Sequence, residues 1–178
     1  MFAVLLERDK IRGMTIRIPL LIFSCAAIAD AQNPKPKVFA GAKVEEVYRV
    51  VLDRDALLLE AIHDVIEQHN IREGQVMITA GSLQECTFHY VTSTSQKPKD
   101  EFKTVKGPFE ILSGGGMIAG GQPHIHIAIA ERGQAAVGGH LERGCKILYL
   151  GEITIVKYAA PSLIRRPNAN GIMMLQEK

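Results

Sequence analysis

One stretch of this chain carries a clear helical period. Leu58, Ala61, Ile62, Val65 and Ile66 make an apolar stripe that runs up to His69. Glu60, Asp64, Glu67 and Gln68 fall on the other side. From Gly74 onward the pattern changes to short β-branched runs broken by glycine. The runs Gln75 to Ala80, Thr87 to Thr92, Phe109 to Leu112, His124 to Ala130, Gln134 to Val137 and Ile147 to Lys157 read as strands, as does Val44 to Leu52 before the stripe. A lone amphipathic helix among many short strands can bury its stripe only against a sheet. The expected fold class is therefore α+β, a mostly antiparallel sheet with one main helix packed on it. Asp53 or Asp55 is the expected helix cap, and Asn70 and Gly74 mark its stop. Ser93 to Lys103 reads as a loop, and the chain after Pro161 shows no clear period.

The N-terminus has a different character. Arg12 and Arg17 precede an apolar run from Ile18 to Ile28, and Ala29-Asp30-Ala31 places small residues before Gln32. Positive flank, short apolar core and small-residue site are the parts of a secretory signal. The run is too short for a bilayer, which needs about 20 residues, so no membrane span is expected. Met14 offers a second start with a more usual signal. The expected organisation is a signal peptide over 1–31, a polar proline-rich leader over 32–43, a domain over 44–160 and a tail over 161–178. Cleavage near Ala31 would make the protein exported, periplasmic or secreted.

Composition narrows the function classes. The 178 residues carry 21 Lys plus Arg against 19 Asp plus Glu, a net charge of +2. That balance lacks the electrostatic footprint that nucleic acid demands. Cys86 and Cys145 each lie beside strand-like sequence. An exported protein could pair them; the reading favoured here is two buried thiols.

The chemistry concentrates at His124-Ile125-His126, with His140 fourteen residues further on. Alternate strand residues share a face, so His124 and His126 point the same way, about 7 Å apart along the backbone. Ile125, Ile127 and Ile129 take the core side. His140 follows Gly138-Gly139, where the chain is expected to turn back toward that strand. Imidazoles converging on one point make a site for a divalent metal, zinc above all, and three nitrogens leave a fourth position open. His63, His69 and His89 read as unrelated to it. Glu110, among the apolar Phe109, Ile111 and Leu112, is the candidate general base or partner of a histidine. Glu142 and Glu152 are weaker candidates of that kind. Gly114-Gly115-Gly116 lacks the Lys-Ser/Thr of a phosphate loop and reads as a turn or a close backbone approach.

Together these residues resemble the PPC domain, the plant and prokaryote conserved domain, from about Tyr48 to Tyr158. The resemblance rests on Gly81-Ser82-Leu83, Phe109-Glu110-Ile111-Leu112-Ser113, His124-Ile125-His126, Gly138-Gly139-His140-Leu141, Gly144-Cys145 and Glu152-Ile153. It implies an antiparallel α+β fold, a homotrimer, and metal binding by His124, His126 and His140 near the subunit boundary, with an unknown small molecule as ligand. It also brings a DNA-binding label, which in plants goes with AT-hook segments. Arg165-Arg166-Pro167 lacks the glycine of an AT-hook core. The chain departs from the family in its glycine-rich loop and at Asp53-Arg54-Asp55, where a glycine is usual. A cupin-like metalloenzyme is the competing reading. His124, His126, Glu131 and Gly138 fit part of a cupin's first motif, but Ile118 stands where that motif wants glycine.

Overall fold

The computed structural model describes residues 34–178. The proposed signal segment lies outside the described residues. The elements run β1 (Lys43–Asp53), α1 (Leu58–Gln68), β2 (Gly74–Val91), β3 (Asp100–Ala119), β4 (Gln122–Glu131), β5 (Val137–Leu141), β6 (Lys146–Ala159), β7 (Leu163–Pro167) and β8 (Met173–Glu177). The first six strands that precede β7 form one sheet in the order β1-β6-β2-β3-β4-β5, every pairing antiparallel. β5 also pairs with β2, so β2, β3, β4 and β5 close on themselves. No helix among the described residues is long and apolar enough to cross a membrane.

The α+β expectation holds. The helix buries Leu58, Leu59, Ile62 and Ile66 in the core beside Phe88, Ile125, Ile127, Ile129 and Leu141 from the sheet. Each such side chain contributes roughly 1.5–3 kcal/mol of burial free energy. The expected aspartate cap is not made. Leu57 occupies the cap position with no side-chain bond, and the Leu58 amide donates instead to the Cys145 carbonyl at 2.8 Å. Asp55 adopts a positive φ of 69° and accepts a 2.6 Å bond from Gln84 Nε2. The stop is as read. Asn70 takes the left-handed conformation, φ 47°, and the Ile71 amide donates back to the Ile66 carbonyl at 2.9 Å. That is a Schellman closure with asparagine in the place glycine usually takes.

Several strand boundaries differ from expectation. The two runs around Gly81-Ser82 are one strand of 18 residues, β2. Its register slips near Gly81, where φ is 147°. Bulges of this kind bend a strand, and here they let β2 pair with β6 at one end and β5 at the other. Gly114, Gly115 and Gly116 lie inside β3 and do not form a turn. The turn is Gly120-Gly121, both with positive φ, as a two-residue hairpin of mirror-image type requires. The C-terminal residues pair as a hairpin, β7 with β8.

Close approach explains the β3 glycines. A Cβ on Gly116 would collide with the His124 carbonyl oxygen, and one on Gly139 with the His89 carbonyl oxygen. Neither clash involves a flexible side chain, so the strands would have to part. Gly116→Ala is expected to destabilise the fold by about 3 kcal/mol or more, read as a lower midpoint in urea. An unchanged midpoint would mean that β3 and β4 are held further apart than the register indicates.

Candidate metal centre

β4 reads as the alternation predicts. Ile125, Ile127 and Ile129 are buried, and His124, His126 and Ala128 face away from the core. His124 and His126 stack with planes 12° apart and centroids 5.3 Å apart, and their Nε2 atoms come within 3.3 Å. His140 stands nearly perpendicular to both rings, at 4.8 Å from His124 and 5.7 Å from His126. The three expected histidines therefore share one patch.

His140 arrives there by a different route from the one expected. Gly138 and Gly139 are inside β5, and the turn precedes them, with Gly133 at φ 75°. The two glycines let β5 lie close between β4 and β2: a Cβ on Gly138 would strike the Ile127 carbonyl. His140 pairs with His126 across one edge and with His89 across the other.

That second pairing corrects the reading of His89 as unrelated. Its ring stacks on His140, centroids 4.5 Å apart and planes 19° apart. His89 Nδ1 lies 2.6 Å from Glu142 Oε1. The same carboxylate oxygen is 3.4 Å from His140 Nδ1, a buried nitrogen that makes no hydrogen bond. His89, His140 and Glu142 offer ligand atoms that all lie within 4.8 Å of one another. Nothing near His89 in the chain signals this. The β2–β5 pairing that brings it in spans two residue pairs, Phe88 with Leu141 and His89 with His140. Glu142, a weaker candidate in the sequence, is the carboxylate the fold delivers.

Glu110 is not part of the cluster. It is exposed on β3 opposite Ala130, four residues along β4 from His126. That spacing is about 13 Å of strand. Glu131 ends β4 opposite Phe109, further still. Glu152 pairs with Ala80 and Val51 at the other side of the sheet. His69 packs its ring on Tyr48 at 4.3 Å, and His63 stays on α1.

The surroundings favour the uncharged form of His124 and His140. Burial pushes the His124 pKa down to about 4, with the neighbouring His140 and Arg165 adding to it. Burial also lowers His140, reinforced by His89 and opposed by Glu142. Uncharged imidazole is the form that ligates metals.

The cysteines depart from the favoured reading of two thiols. Cys86 and Cys145 are joined by a disulfide, and both are fully buried. Cys86 lies three residues before His89 and Cys145 three after Glu142. The Glu142 amide also donates to the Thr87 carbonyl at 3.0 Å. The bond thus closes the segment that carries the cluster against β2.

A strongly bent antiparallel sheet, one helix and an outward histidine patch define an α+β domain with a site on its sheet face. Residues 39–159 match the Plants and Prokaryotes Conserved (PCC) domain, and the chain belongs to that family. It is similar in structure to a metal-containing protein from Archaeoglobus fulgidus, with 21% identity and a TM-score of 0.69 over 80% of this chain and 100% of that one. A plant- and prokaryote-conserved (PPC) protein from Pyrococcus horikoshii matches with 20% identity and a TM-score of 0.67, over 80% and 99%. A protein from Bacteroides thetaiotaomicron described as a candidate DNA-binding protein matches with 20% identity and a TM-score of 0.66, over 76% and 94%. In sequence the chain is similar to the bifunctional protein GlmU of Synechococcus sp. (strain JA-3-3Ab), 26% identical over 148 residues and 83% of this chain. The chain spans 22% of that relative's length.

Proposed function

We propose that this is a zinc-binding member of the family, with His124, His126 and His140 as the protein ligands. One observation carries the reading. Two nitrogens bound to one tetrahedral zinc at about 2.0–2.1 Å stand roughly 3.3 Å apart, and His124 Nε2 and His126 Nε2 are 3.3 Å apart. In this reading Glu142, bonded to His89 Nδ1 and 3.4 Å from His140 Nδ1, is the outer carboxylate beside the ligand His140. Three protein nitrogens leave one coordination position for water or a ligand oxygen. The Archaeoglobus fulgidus protein's metal is in keeping with this reading.

A second ligand set has its own support. Among the described residues, His89, His140 and Glu142 are the three whose ligand atoms all lie within 4.8 Å of one another. One measurement separates the two. Wild-type protein is dialysed against zinc, and its affinity is compared with that of Glu142→Gln. A steadying role predicts a loss of about ten- to hundredfold. Complete loss would place Glu142 among the ligands, and no change would remove it from the site.

The wider proposal is an exported homotrimer that binds an unknown small molecule. The Cys86–Cys145 bond supports export, because such bonds persist in oxidising compartments. The trimer is proposed on the family resemblance. The net charge of +2 gives no support to a DNA-binding role. Glu110 receives no role here, being far along the strand from the histidines.

A further inference from the structure

The C-terminal hairpin lies beyond the matched residues 39–159 and reaches the histidine face. It is anchored through Glu73, a buried carboxylate whose Oε1 accepts the Leu163 amide at 2.9 Å and the Gly120 amide at 3.2 Å. This anchoring sets Arg165 against the β3–β4 hairpin. Arg165 Nη1 donates to the Gln122 carbonyl at 3.2 Å, and Nη2 to the Met117 carbonyl at 3.5 Å. Met117 is the residue directly across from His124, and Gln122 precedes His124 by two positions.

These two bonds do not exhaust the guanidinium. It has five N–H donors, and a bond of 3.5 Å is at the outer edge of useful length. Arg165 makes no ion pair among the described residues. It is half-buried, and that burial lowers its pKa against the opposing charge of Glu73. A partly desolvated cation with unspent donors and no carboxylate in ion-pair contact among the described residues is stabilised by an arriving anion.

We infer that Arg165 is a ligand-recognition residue, and that the small molecule bound at the histidine face carries a carboxylate or a phosphate. The guanidinium would hold the anion beside the histidines, where a zinc ion bound by them would supply the second positive charge. Arg165 supplies directional N–H donors that a lysine cannot reproduce. The inference rests on the zinc reading above and names the class of ligand for that site.

The test is calorimetric titration of inorganic phosphate, and separately of oxalate, into zinc-loaded protein. Wild type is compared with Arg165→Gln and Arg165→Lys. Gln keeps a donor for the carbonyls without the charge, and Lys keeps the charge without the planar fork. Zinc content and thermal midpoint are measured for each. The expected result is binding of one or both anions by wild type and about tenfold or more weaker binding by Arg165→Gln. Zinc content stays equal, and Arg165→Lys falls between. The preferred anion tells carboxylate from phosphate. Equal anion affinity in wild type and Arg165→Gln overturns the inference and leaves Arg165 as a clip for the hairpin. Absence of anion binding to zinc-loaded wild type overturns it as well. Should wild type hold no zinc, the zinc reading fails by itself. The same titrations on metal-free protein then decide for Arg165: charge-dependent anion binding supports it, and none overturns it.

Discussion

Zinc bound by the His124→Ala/His126→Ala double variant is expected to fall from about one ion per chain to background, an affinity loss well beyond the roughly hundredfold that outer-shell changes cause. The reason is direct. Two of three nitrogens leave, and His140 alone cannot compete with water for the ion. The fold should survive, because both side chains point away from the core while Ile125, Ile127 and Ile129 carry it. Thermal midpoints of the metal-free proteins are expected to agree within about 2 °C, the usual scale for surface changes. Metal content by mass spectrometry of the native protein reads the result. Full zinc retention in the double variant, together with its loss from a His89→Ala/Glu142→Gln variant, would transfer the site to the second ligand set. Zinc bound by neither variant nor wild type would end the metal reading.

Removal of the Cys86–Cys145 bond should have the largest effect on stability. The two cysteines are 59 residues apart in the chain, and closing a loop of that size limits the unfolded state by about 4 kcal/mol. For a domain of this size that is a thermal shift of roughly 8–16 °C. The measurement is thermal unfolding of the chain from Gln32 onward as wild type, as wild type with reductant, and as Cys86→Ala/Cys145→Ala. Thiols are counted in denatured, unreduced protein. No free thiols and a large shift are expected. Two free thiols per chain with coincident transitions would restore the reading of two buried thiols, and would withdraw the support the bond lends to export.

The two largest predictions also separate what was readable along the chain from what was not. The helix was readable because its stripe has the right period, and so was its end at Asn70, where a left-handed residue closes the last turn. β4 was readable because strict alternation leaves one arrangement that buries three isoleucines. Its two histidines were then bound to share a face. The β2 bend was not readable. In one dimension the strand run from Gln75 ends at Gly81-Ser82, and only the competition of β6 and β5 for the same strand makes that break a bulge. For Gly114, Gly115 and Gly116 a turn and a close backbone approach were both open, and the structure takes the second. A glycine that makes room for a neighbouring strand's carbonyl has the same signature as one that supplies a positive φ.

The sequence by itself determined the class of fold and the outward pair His124 and His126, because these follow from periods of 3.6 and 2 acting within one element. Only the tertiary structure decided that His89 and Glu142 join them, that Cys86 meets Cys145, and that Arg165 comes to lie beside His124. Each of these depends on a contact between segments about 40 or more residues apart, whose register is set by the whole sheet closing on its core. Local pattern carries no record of such a contact.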